Sequence, residues 1–363
     1  QKGRDGFNSC AFAGTNAVFR VGALYGIGGM PYGSVTEDAL AGRYLHKAGY
    51  RSIYAEELLA VGEAPTTVAS AMKQRMRWCK GSIQILLLKI FGLPIGEERE
   101  FEPFQEPERE NIDYECQLAK LSKGEKIYQT FVQNIFSADT MLYPISAITA
   151  IGYMFVALIF VWSSESPITF TGAFGYEAFI FTFGPYFVSK FLCSTAAYTG
   201  KVEPDEIWIS QQVWFGYAFP AVVGIFDALR QEFTGRGLSW GVTGEAERRN
   251  WLEYFNVFMV FALIIGICVR LVYLFVDVTT SLIALGAIFF AATIVFQMWP
   301  MVSMSIYEWF CNAPVDNSER EDMRRCQVPT YIIYVFILIV IIGIGVIVPS
   351  EVLSNVNATT EEE

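Results

Sequence analysis

The sequence predicts a soluble domain followed by a multi-span α-helical membrane domain that includes helices lying at the membrane surface. Hydrophobic residues fill 53% of its 363 positions and charged residues fill 17%, against roughly 25% charged residues in ordinary soluble domains. Residues 1–137 mix charged and apolar side chains, whereas the remainder contains long apolar runs. A helix of about 20 apolar residues spans a bilayer, so these runs favour a membrane environment.

Five apolar runs are predicted to cross the membrane, and the loops between them assign residues 1–137 to the cytoplasm. Lys and Arg gather in the loops that would face the same side as residues 1–137, as expected of cytoplasmic loops. This agreement requires that the run 206–229 does not cross. We predict that this run is an interfacial helix, with a sixth span as the alternative. The predicted spans are 138–162, 175–197, 253–276, 280–302 and 330–349.

Two predicted spans carry an ionisable side chain toward one end, Lys190 and Arg270. We expect both side chains to extend along the helix and to place their charges at the membrane surface. The segment 350–363 follows the last span and is predicted to be an acidic extracytoplasmic tail.

The charge and the cysteine pattern argue against two kinds of function. A net charge of −11 disfavours a nucleic-acid partner, which would require a basic surface. The seven cysteines form no C-x-x-C pair and His46 is the only histidine, so no Cys/His zinc site is predicted. Because the chain begins at Gln1 in a loop-like stretch, we expect it to be a piece of a longer protein.

The residues Thr36-Glu37-Asp38 form the first candidate site. Their simplest interpretation is a helix start, with Thr36 as N-cap and two acids in the first turn. The functional interpretation is a carboxylate at the end of a rigid element, where it can accept a proton from an attacking hydroxyl. His46 lies on the body of the same predicted helix, and we expect it to pack or to hydrogen-bond rather than to catalyse.

A second candidate site lies on a predicted helix that begins after Pro65. The i, i+3, i+4, i+7 spacing of one helical face is met by Gln74, Arg77, Trp78 and Gly81. On such a face, an arginine can neutralise a diphosphate, a glutamine can fix hydroxyls, and a tryptophan can stack on a sugar ring. The alternative is a basic amphipathic helix that rests on the membrane surface.

Two glycine-containing segments are weaker candidates. The small residues of Phe12-Ala13-Gly14-Thr15 let the backbone approach a ligand closely, but on these residues alone an ordinary strand-to-helix turn is the favoured interpretation. The loop 234–249 contains several glycines and is flexible enough to open and close over a substrate. Glycine-rich loops are also common between membrane helices, so this segment fits an ordinary connecting loop as well.

Taken in order, these segments resemble the membrane-integrated processive glycosyltransferases of family two, and cellulose synthases in particular. The resemblance rests on Thr36-Glu37-Asp38, on Leu45-His46-x-x-Gly49-Tyr50 and on Gln74-Arg75-Met76-Arg77-Trp78. It covers residues 7–91 through these motifs and extends to about residue 302 through architecture. The fold that it implies is the C-terminal part of an α/β glycosyltransferase domain of the GT-A-like type, followed by the multi-span membrane domain.

The resemblance divides the chain into four parts and implies a location in the plasma membrane, with the Golgi as the alternative. The parts are the end of the cytosolic glycosyltransferase domain (1–64), an interfacial amphipathic helix with its cytosolic connection (65–137), the membrane domain (138–349) and the acidic tail (350–363).

The resemblance also implies a catalytic role for Asp38, in a motif shared with Glu37 and Thr36. As general base, Asp38 would deprotonate the C4 hydroxyl of the growing chain. That oxygen would attack the anomeric carbon of UDP-glucose with inversion, giving a β-1,4 linkage, and the polymer would leave through the membrane helices.

Substrate binding is implied for three groups of residues. The acceptor and the diphosphate would meet Gln74, Arg75, Arg77 and Trp78, and the acceptor side would include Phe12, Gly14 and Thr15. In this last segment Ala13 stands where a cysteine is usual. The gating loop of the family would correspond to Trp240, Val242 and Thr243, although Trp240 replaces a phenylalanine and Glu245 replaces a lysine.

The implied partners are UDP-glucose, the growing glucan, the lipid bilayer, and a homo-oligomer or larger synthase complex. The implied cofactor is Mg²⁺ or Mn²⁺, but the two aspartate motifs of the family that bind uridine and the metal–diphosphate do not precede residue 7. We therefore expect the metal ligands upstream of this chain, and the chain alone to be inactive.

Two alternatives to a cellulose-type enzyme remain open at this point. One is a chitin, hyaluronan or mixed-linkage glucan synthase, although chitin synthases usually have Glu-Asp-Arg where this chain has Glu37-Asp38-Ala39. The other is a non-enzymatic polytopic transporter whose cytoplasmic domain only resembles a transferase.

Overall fold

The chain is described here from a computed structural model, which covers residues 2–31, 33–55, 57, 60, 62, 64–91, 122–163, 204–235, 250–274 and 281–311. In these ranges the regular secondary structure is helical. The helices are α1 (Lys2–Asp5), α2 (Val21–Gly26), α3 (Glu37–Lys47), α4 (Val68–Phe91), α5 (Lys123–Trp162), α6 (Pro204–Gly216), α7 (Ala218–Thr234), α8 (Trp251–Leu274) and α9 (Ser281–Cys311).

The predicted α/β character of the N-terminal part is not visible in the described residues, since no strand occurs among them. Segments that flank α3 are instead joined through side chains. The backbone N–H of Ser52 donates to Asn8 Oδ1 at 2.9 Å, and the Ser52 hydroxyl donates to the carbonyl oxygen of Cys10 at 3.2 Å. These bonds tie the two segments together without a backbone ladder.

The chain divides into two compact units, and α4 and α5 each contribute residues to both. The first unit comprises Gln1–Thr66, Ser70–Ile148 and Ala218–Ala246, and the second comprises Thr67–Ala69, Thr149–Tyr217 and Glu247–Glu363.

Helix α4 is the centre of the first unit because two of its faces are packed against other elements. On one face Ile85 contacts Leu40 of α3. On the roughly opposite face Ile83 packs against Ile225 and Ala228 of α7. Burial on both faces explains why α4 is apolar beyond what an amphipathic surface helix requires.

Helix α5 begins at Lys123, well before the apolar run that predicted a span from residue 138. Its first turns pack against the N-terminal segment, where the Phe7 and Phe136 rings lie 5.6 Å apart and Gln133 Nε2 donates to the Asn8 carbonyl at 2.8 Å. A single helix therefore includes both the part that packs on the N-terminal segment and the apolar run that follows it.

Three described helical segments are long and apolar enough to cross a membrane: Leu142–Trp162, Trp251–Val272 and Gly286–Cys311. They overlap the predicted spans 138–162, 253–276 and 280–302, and the third extends nine residues beyond its predicted end. The predicted spans 175–197 and 330–349 and the tail 350–363 lie outside the described residues. The run 206–229 forms α6 and α7, which are separated at Tyr217, and neither helix is among the three candidates.

Arg270, predicted to extend to the membrane surface, contacts the end of a neighbouring helix. Its side chain is only 7% exposed, and its Nε donates to the carbonyl oxygen of Val161 at 2.9 Å. Val161 lies in the last turn of α5, where backbone carbonyls have no partner within the helix. The guanidinium therefore caps a neighbouring helix instead of reaching water. Lys190, the other such residue, lies outside the described ranges.

A buried thiol marks the contact between α4 and α5. Cys79 is 1% exposed, and its sulfur lies 2.8 Å from the Tyr143 hydroxyl. Burial raises the pKa of the Cys79 thiol to about 11, despite the opposing effects of the Tyr143 hydrogen bond and of Arg75.

We expect Cys79 to resist alkylation at pH 8 while the protein is folded. A pKa of about 11 leaves roughly 200-fold less thiolate at pH 8 than the ordinary cysteine pKa of about 8.5 does, and burial hinders the reagent further. Mass spectrometry after timed treatment with N-ethylmaleimide measures this, with the exposed Cys311 as internal control. Equal labelling rates at the two cysteines would contradict the packing described here.

Candidate active site

Helix α3 begins at Glu37, as the sequence pattern predicts, but Thr36 does not cap it with its side chain. The Thr36 hydroxyl instead lies 3.0 Å from the Ser34 hydroxyl, and the Thr36 N–H donates to the same Ser34 oxygen at 3.1 Å. Thr36 is therefore held by the residues before it. This leaves the two acids in the first turn of α3, where the helix dipole favours negative charge.

The carboxylate of Asp38 is fixed on one side and faces a loop on the other. Its Oδ1 accepts a hydrogen bond from the N–H of Ala39 at 2.8 Å. A Cβ on Gly14 would lie only 2.8 Å from Asp38 Oδ2, and Gly14 has φ +85°, a conformation that favours glycine. The loop after Phe12 thus passes directly beside the candidate base, as a site for an acceptor hydroxyl would require.

The other residues of that loop differ in their surroundings. Phe12 packs on α3, since a Cβ on Gly42 would lie 3.2 Å from the Phe12 nitrogen, and its ring meets Phe19 edge-on at 4.9 Å. Thr15 is exposed, with its hydroxyl 3.2 Å from Asn16 Oδ1. Gly14 alone among the three predicted acceptor-side residues is shown in contact with Asp38.

Helix α4 meets the Thr36-Glu37-Asp38 segment through Gly81. A Cβ at position 81 would overlap the Thr36 side chain, with 2.6 Å to its Cγ2, so only glycine permits this approach. Gly81 lies three and four residues after Trp78 and Arg77, on the same helical face. The structure therefore brings the Gly81 end of the predicted helical stripe, the face with Gln74, Arg77 and Trp78, beside the segment that carries Asp38.

Arg75 and Trp78 form a stacked pair on α4. The Arg75 guanidinium carbon lies 4.7 Å from the centre of the Trp78 ring, within the range of a cation–π interaction. Trp78 retains 36% of its exposure, so the arginine does not enclose the indole. Gln74 and Arg77 are half-buried on the same helix. A cation and an exposed aromatic face are thus held together, which suits a ligand with both a phosphate and a sugar.

A buried polar cluster behind this surface was not predicted from the sequence. It consists of Ser34, Gln84 and Gln231, which are 0%, 1% and 8% exposed. Gln84 Oε1 accepts from the Val35 N–H at 3.0 Å, and Gln84 Nε2 donates to Gln231 Oε1 at 3.0 Å. The one signal in the sequence was a glutamine within the apolar stretch Ile83–Leu88, but its partners are distant along the chain.

His46 belongs to the scaffold, consistent with its predicted hydrogen-bonding role. Its Nε2 lies 2.7 Å from the Ser52 hydroxyl, which itself donates to the Cys10 carbonyl. Because that hydroxyl has one proton, His46 Nε2 is the donor in their bond. Burial, and secondarily the charge of Arg43, lowers the pKa of His46, so the neutral ring is favoured.

Two parts of the predicted site are not represented in this geometry. Trp240, Val242 and Thr243, the gating-loop candidates, lie outside the described residues. Within the described ranges, no group of three His, Cys, Asp or Glu side chains is placed to hold a metal ion. The described residues therefore do not fit a Mg²⁺ or Mn²⁺ site.

Comparison with known proteins gives one family and a consistent set of relatives. Residues 5–182 match the family model described as "Glycosyl transferase family group 2". Over 91 residues the chain is 46% identical to a UDP-forming cellulose synthase catalytic subunit from Dictyostelium discoideum, a match that covers 25% of this chain and 9% of the relative.

Bacterial and plant proteins are similar as well. The UDP-forming cellulose synthase catalytic subunit of Xanthomonas axonopodis pv. citri is 38% identical over 85 residues, or 23% of this chain and 12% of the relative. The UDP-forming cellulose synthase A catalytic subunit 3 of Arabidopsis thaliana is 25% identical over 221 residues, or 60% of this chain and 18% of the relative. The chain thus spans less than a fifth of the length of these relatives.

We expect Gly81→Ala to displace the Thr36-Glu37-Asp38 segment. The added methyl group would overlap Thr36, and such overpacking typically costs about 1–3 kcal/mol. The midpoint of thermal unfolding in detergent should fall accordingly.

Gly152→Ala is the matched control, because a Cβ on Gly152 of α5 would meet no atom within 4 Å. Its midpoint should stay the same or rise, since alanine favours a helix by up to about 1 kcal/mol over glycine. If both variants unfold at the wild-type temperature, the close contact between α4 and Thr36 is wrong.

Proposed function

We propose, from the match of residues 5–182 to the model of glycosyl transferase family group 2, that the protein is a processive inverting β-glycosyltransferase that extends a β-1,4-glucan from UDP-glucose. The observation that carries the proposal is the position of Asp38. Its free carboxylate oxygen faces the Gly14 backbone, on a rigid helix start. The names of the relatives, cellulose synthases of the UDP-forming type, supply the donor and the product.

The proposed reaction assigns proton transfer to Asp38. The C4 hydroxyl of the acceptor sugar loses its proton to Asp38 Oδ2 as its oxygen attacks the anomeric carbon of the donor. The bond from that carbon to the diphosphate breaks, and UDP leaves with the bonding electrons. Gly14 has no side chain to obstruct the acceptor beside the carboxylate, so the hydroxyl can approach to hydrogen-bonding distance.

The α4 surface is proposed to bind both the diphosphate of the donor and the acceptor sugar. Arg75 and Arg77 provide positive charge for the diphosphate, which develops further negative charge as it leaves. Trp78 offers the exposed part of its ring to the apolar face of the acceptor sugar. Gln74 provides both a donor and an acceptor for sugar hydroxyls. Trp240, Val242 and Thr243 remain predicted gating-loop residues.

The membrane part of the proposal rests on the three long apolar helices. We propose that the protein is integral to a membrane and that the polymer is exported through its helices. Large apolar side chains exposed on α8, such as Phe258 and Ile265, are stable in contact with lipid, whereas in water they would form an aggregation-prone surface.

We expect Asp38→Asn to abolish polymer synthesis in the protein expressed at its full natural length. Loss of a general base typically lowers the rate about 10²–10⁴-fold, and the asparagine is nearly isosteric. Incorporation of labelled glucose from UDP-glucose into insoluble glucan measures the rate.

Asp227→Asn is the matched control, because Asp227 is also half-buried in the first unit but lies on α7, away from Gly14. It should retain wild-type activity. Polymer synthesis at the wild-type rate by the Asp38→Asn protein would show that Asp38 is not the general base.

We expect Trp78→Ala to shorten the product, because the acceptor loses its stacking surface and dissociates more often between additions. An aromatic contact is worth about 1 kcal/mol, or roughly fivefold in dissociation rate. Product length is measured by size-exclusion chromatography of the dissolved glucan. Trp78→Phe, which keeps an aromatic face, should restore most of the length. If the alanine and phenylalanine variants make equally long chains, Trp78 is not the stacking surface.

A further inference from the structure

We propose that Gln84 of α4 is a positioning residue. Its side-chain amide fixes residues 34–38, the base-bearing segment that carries Asp38, to α4 and, through Gln231, to α7. This inference rests on the proposed function for its kinetic consequence but not for its structural one. Gln84 is not part of the predicted Gln/Arg/Trp motif and is too deeply buried, at 1% exposure, to touch a substrate.

The orientation of the Gln84 amide is determined by its partners. The backbone N–H of Val35 can only donate, so the atom that faces it at 3.0 Å is the carbonyl oxygen Oε1. The Gln84 NH₂ group must then point the other way, where Gln231 Oε1 accepts from it at 3.0 Å. One planar group therefore connects the backbone two residues before Glu37 with the last turns of α7.

The Ser34 hydroxyl extends this connection to Thr36. It accepts from the Thr36 N–H at 3.1 Å and lies 3.0 Å from the Thr36 hydroxyl. Its single proton is directed toward α4, where the Gly81 carbonyl lies at 3.2 Å and Gln84 Oε1 at 3.4 Å. Thr36 is thus held by a serine that is itself held by α4.

The place of Gln84 on the helix explains why this residue can make the connection. The face of α4 that carries Gly81 and Ile85 meets α3 and Thr36, and the face that carries Met76 and Ile83 meets α7. At 100° per residue, position 84 falls between these faces. From there a long amide side chain reaches both neighbours. No buried side-chain oxygen or nitrogen of Ser34, Gln84 or Gln231 is left without a hydrogen-bond partner.

The direct experiment is hydrogen–deuterium exchange of the peptide that contains residues 33–40, which requires no activity. Gln84→Met preserves length and shape but replaces the amide with a thioether, which cannot donate and accepts only weakly, so the Val35 N–H loses its strong acceptor. Exchange at this amide should accelerate roughly tenfold, as expected for one lost buried hydrogen bond. Gln231→Met removes only the α7 end of the connection and should give a smaller acceleration in the same peptide.

The matched control is Gln212→Met. Gln212 is likewise buried, at 3% exposure, and its Nε2 donates to the Phe296 carbonyl at 3.0 Å, but it belongs to the second unit. It should leave the exchange of residues 33–40 unchanged. Equal exchange in the Gln84→Met and Gln212→Met proteins would overturn the proposal. An unchanged peptide in Gln231→Met would overturn the link to α7.

Kinetics on the protein at its full natural length supply the second readout. Displacement of the base should lower kcat for polymer synthesis about tenfold in Gln84→Met, with KM for UDP-glucose within about twofold of wild type, because misplacing a catalytic group affects the chemical step. A raised KM with unchanged kcat would overturn the positioning role. If Asp38→Asn still makes polymer at the wild-type rate, Asp38 is not the base, and the exchange experiment alone still decides whether Gln84 fixes this segment.

Discussion

The first unit depends on how closely α4 can approach its two neighbours. On one side the approach to Thr36 is possible because position 81 has no Cβ, and on the other a Cβ on Gly224 would lie 2.5 Å from the Met76 carbonyl oxygen. Two glycines on different helices thus let the α4 backbone approach the Thr36 side chain on one side and the α7 backbone on the other. If either contact opened, the residues beside Asp38 would move, since Thr36 has no side-chain cap of its own on α3. The precision of the candidate site therefore comes from packing rather than from the motif that carries it.

Close packing has an electrostatic requirement, because backbone and side-chain polar groups enclosed between helices lose their water. An unpaired buried donor or acceptor costs about 1–3 kcal/mol, so the space between α4 and its neighbours is stable only if its polar groups find partners there. Ser34, Gln84 and Gln231 meet this requirement together. A network of this kind is directional as well as stabilising: reversing one amide would set donors against donors. It therefore selects one position of the base-bearing segment, whereas apolar contacts alone would allow small displacements.

The sequence carries the local features of this site but not the contacts between them. The start of α3 at Glu37 and the helical stripe through Gln74, Arg77 and Trp78 follow from capping and spacing rules, and α3 and α4 form there. Gly81 was visible as a member of the stripe, yet its contact with Thr36 depends on tertiary approach that no periodicity encodes. The role of Gln84 is harder still to predict from the sequence, because its partner Gln231 is 147 residues away along the chain. For the apolar runs, composition located three described helical segments that are long and apolar enough to cross a membrane. It did not locate the early start of α5, because the residues before that run are polar.

Polar side chains among the apolar helices of the second unit bond to backbone carbonyl oxygens. Arg270 caps the last turn of α5. Asn256 donates to the carbonyl of Gly216, the final residue of α6, at 2.8 Å. Gln212 donates to Phe296, the carbonyl whose helical partner is missing because Pro300 has no N–H. Each side chain pairs with a backbone oxygen that a helix end or a proline leaves open. In an apolar surrounding such oxygens cannot be left to solvent, so the need of the backbone, rather than the charge of the side chain, decides where these residues point.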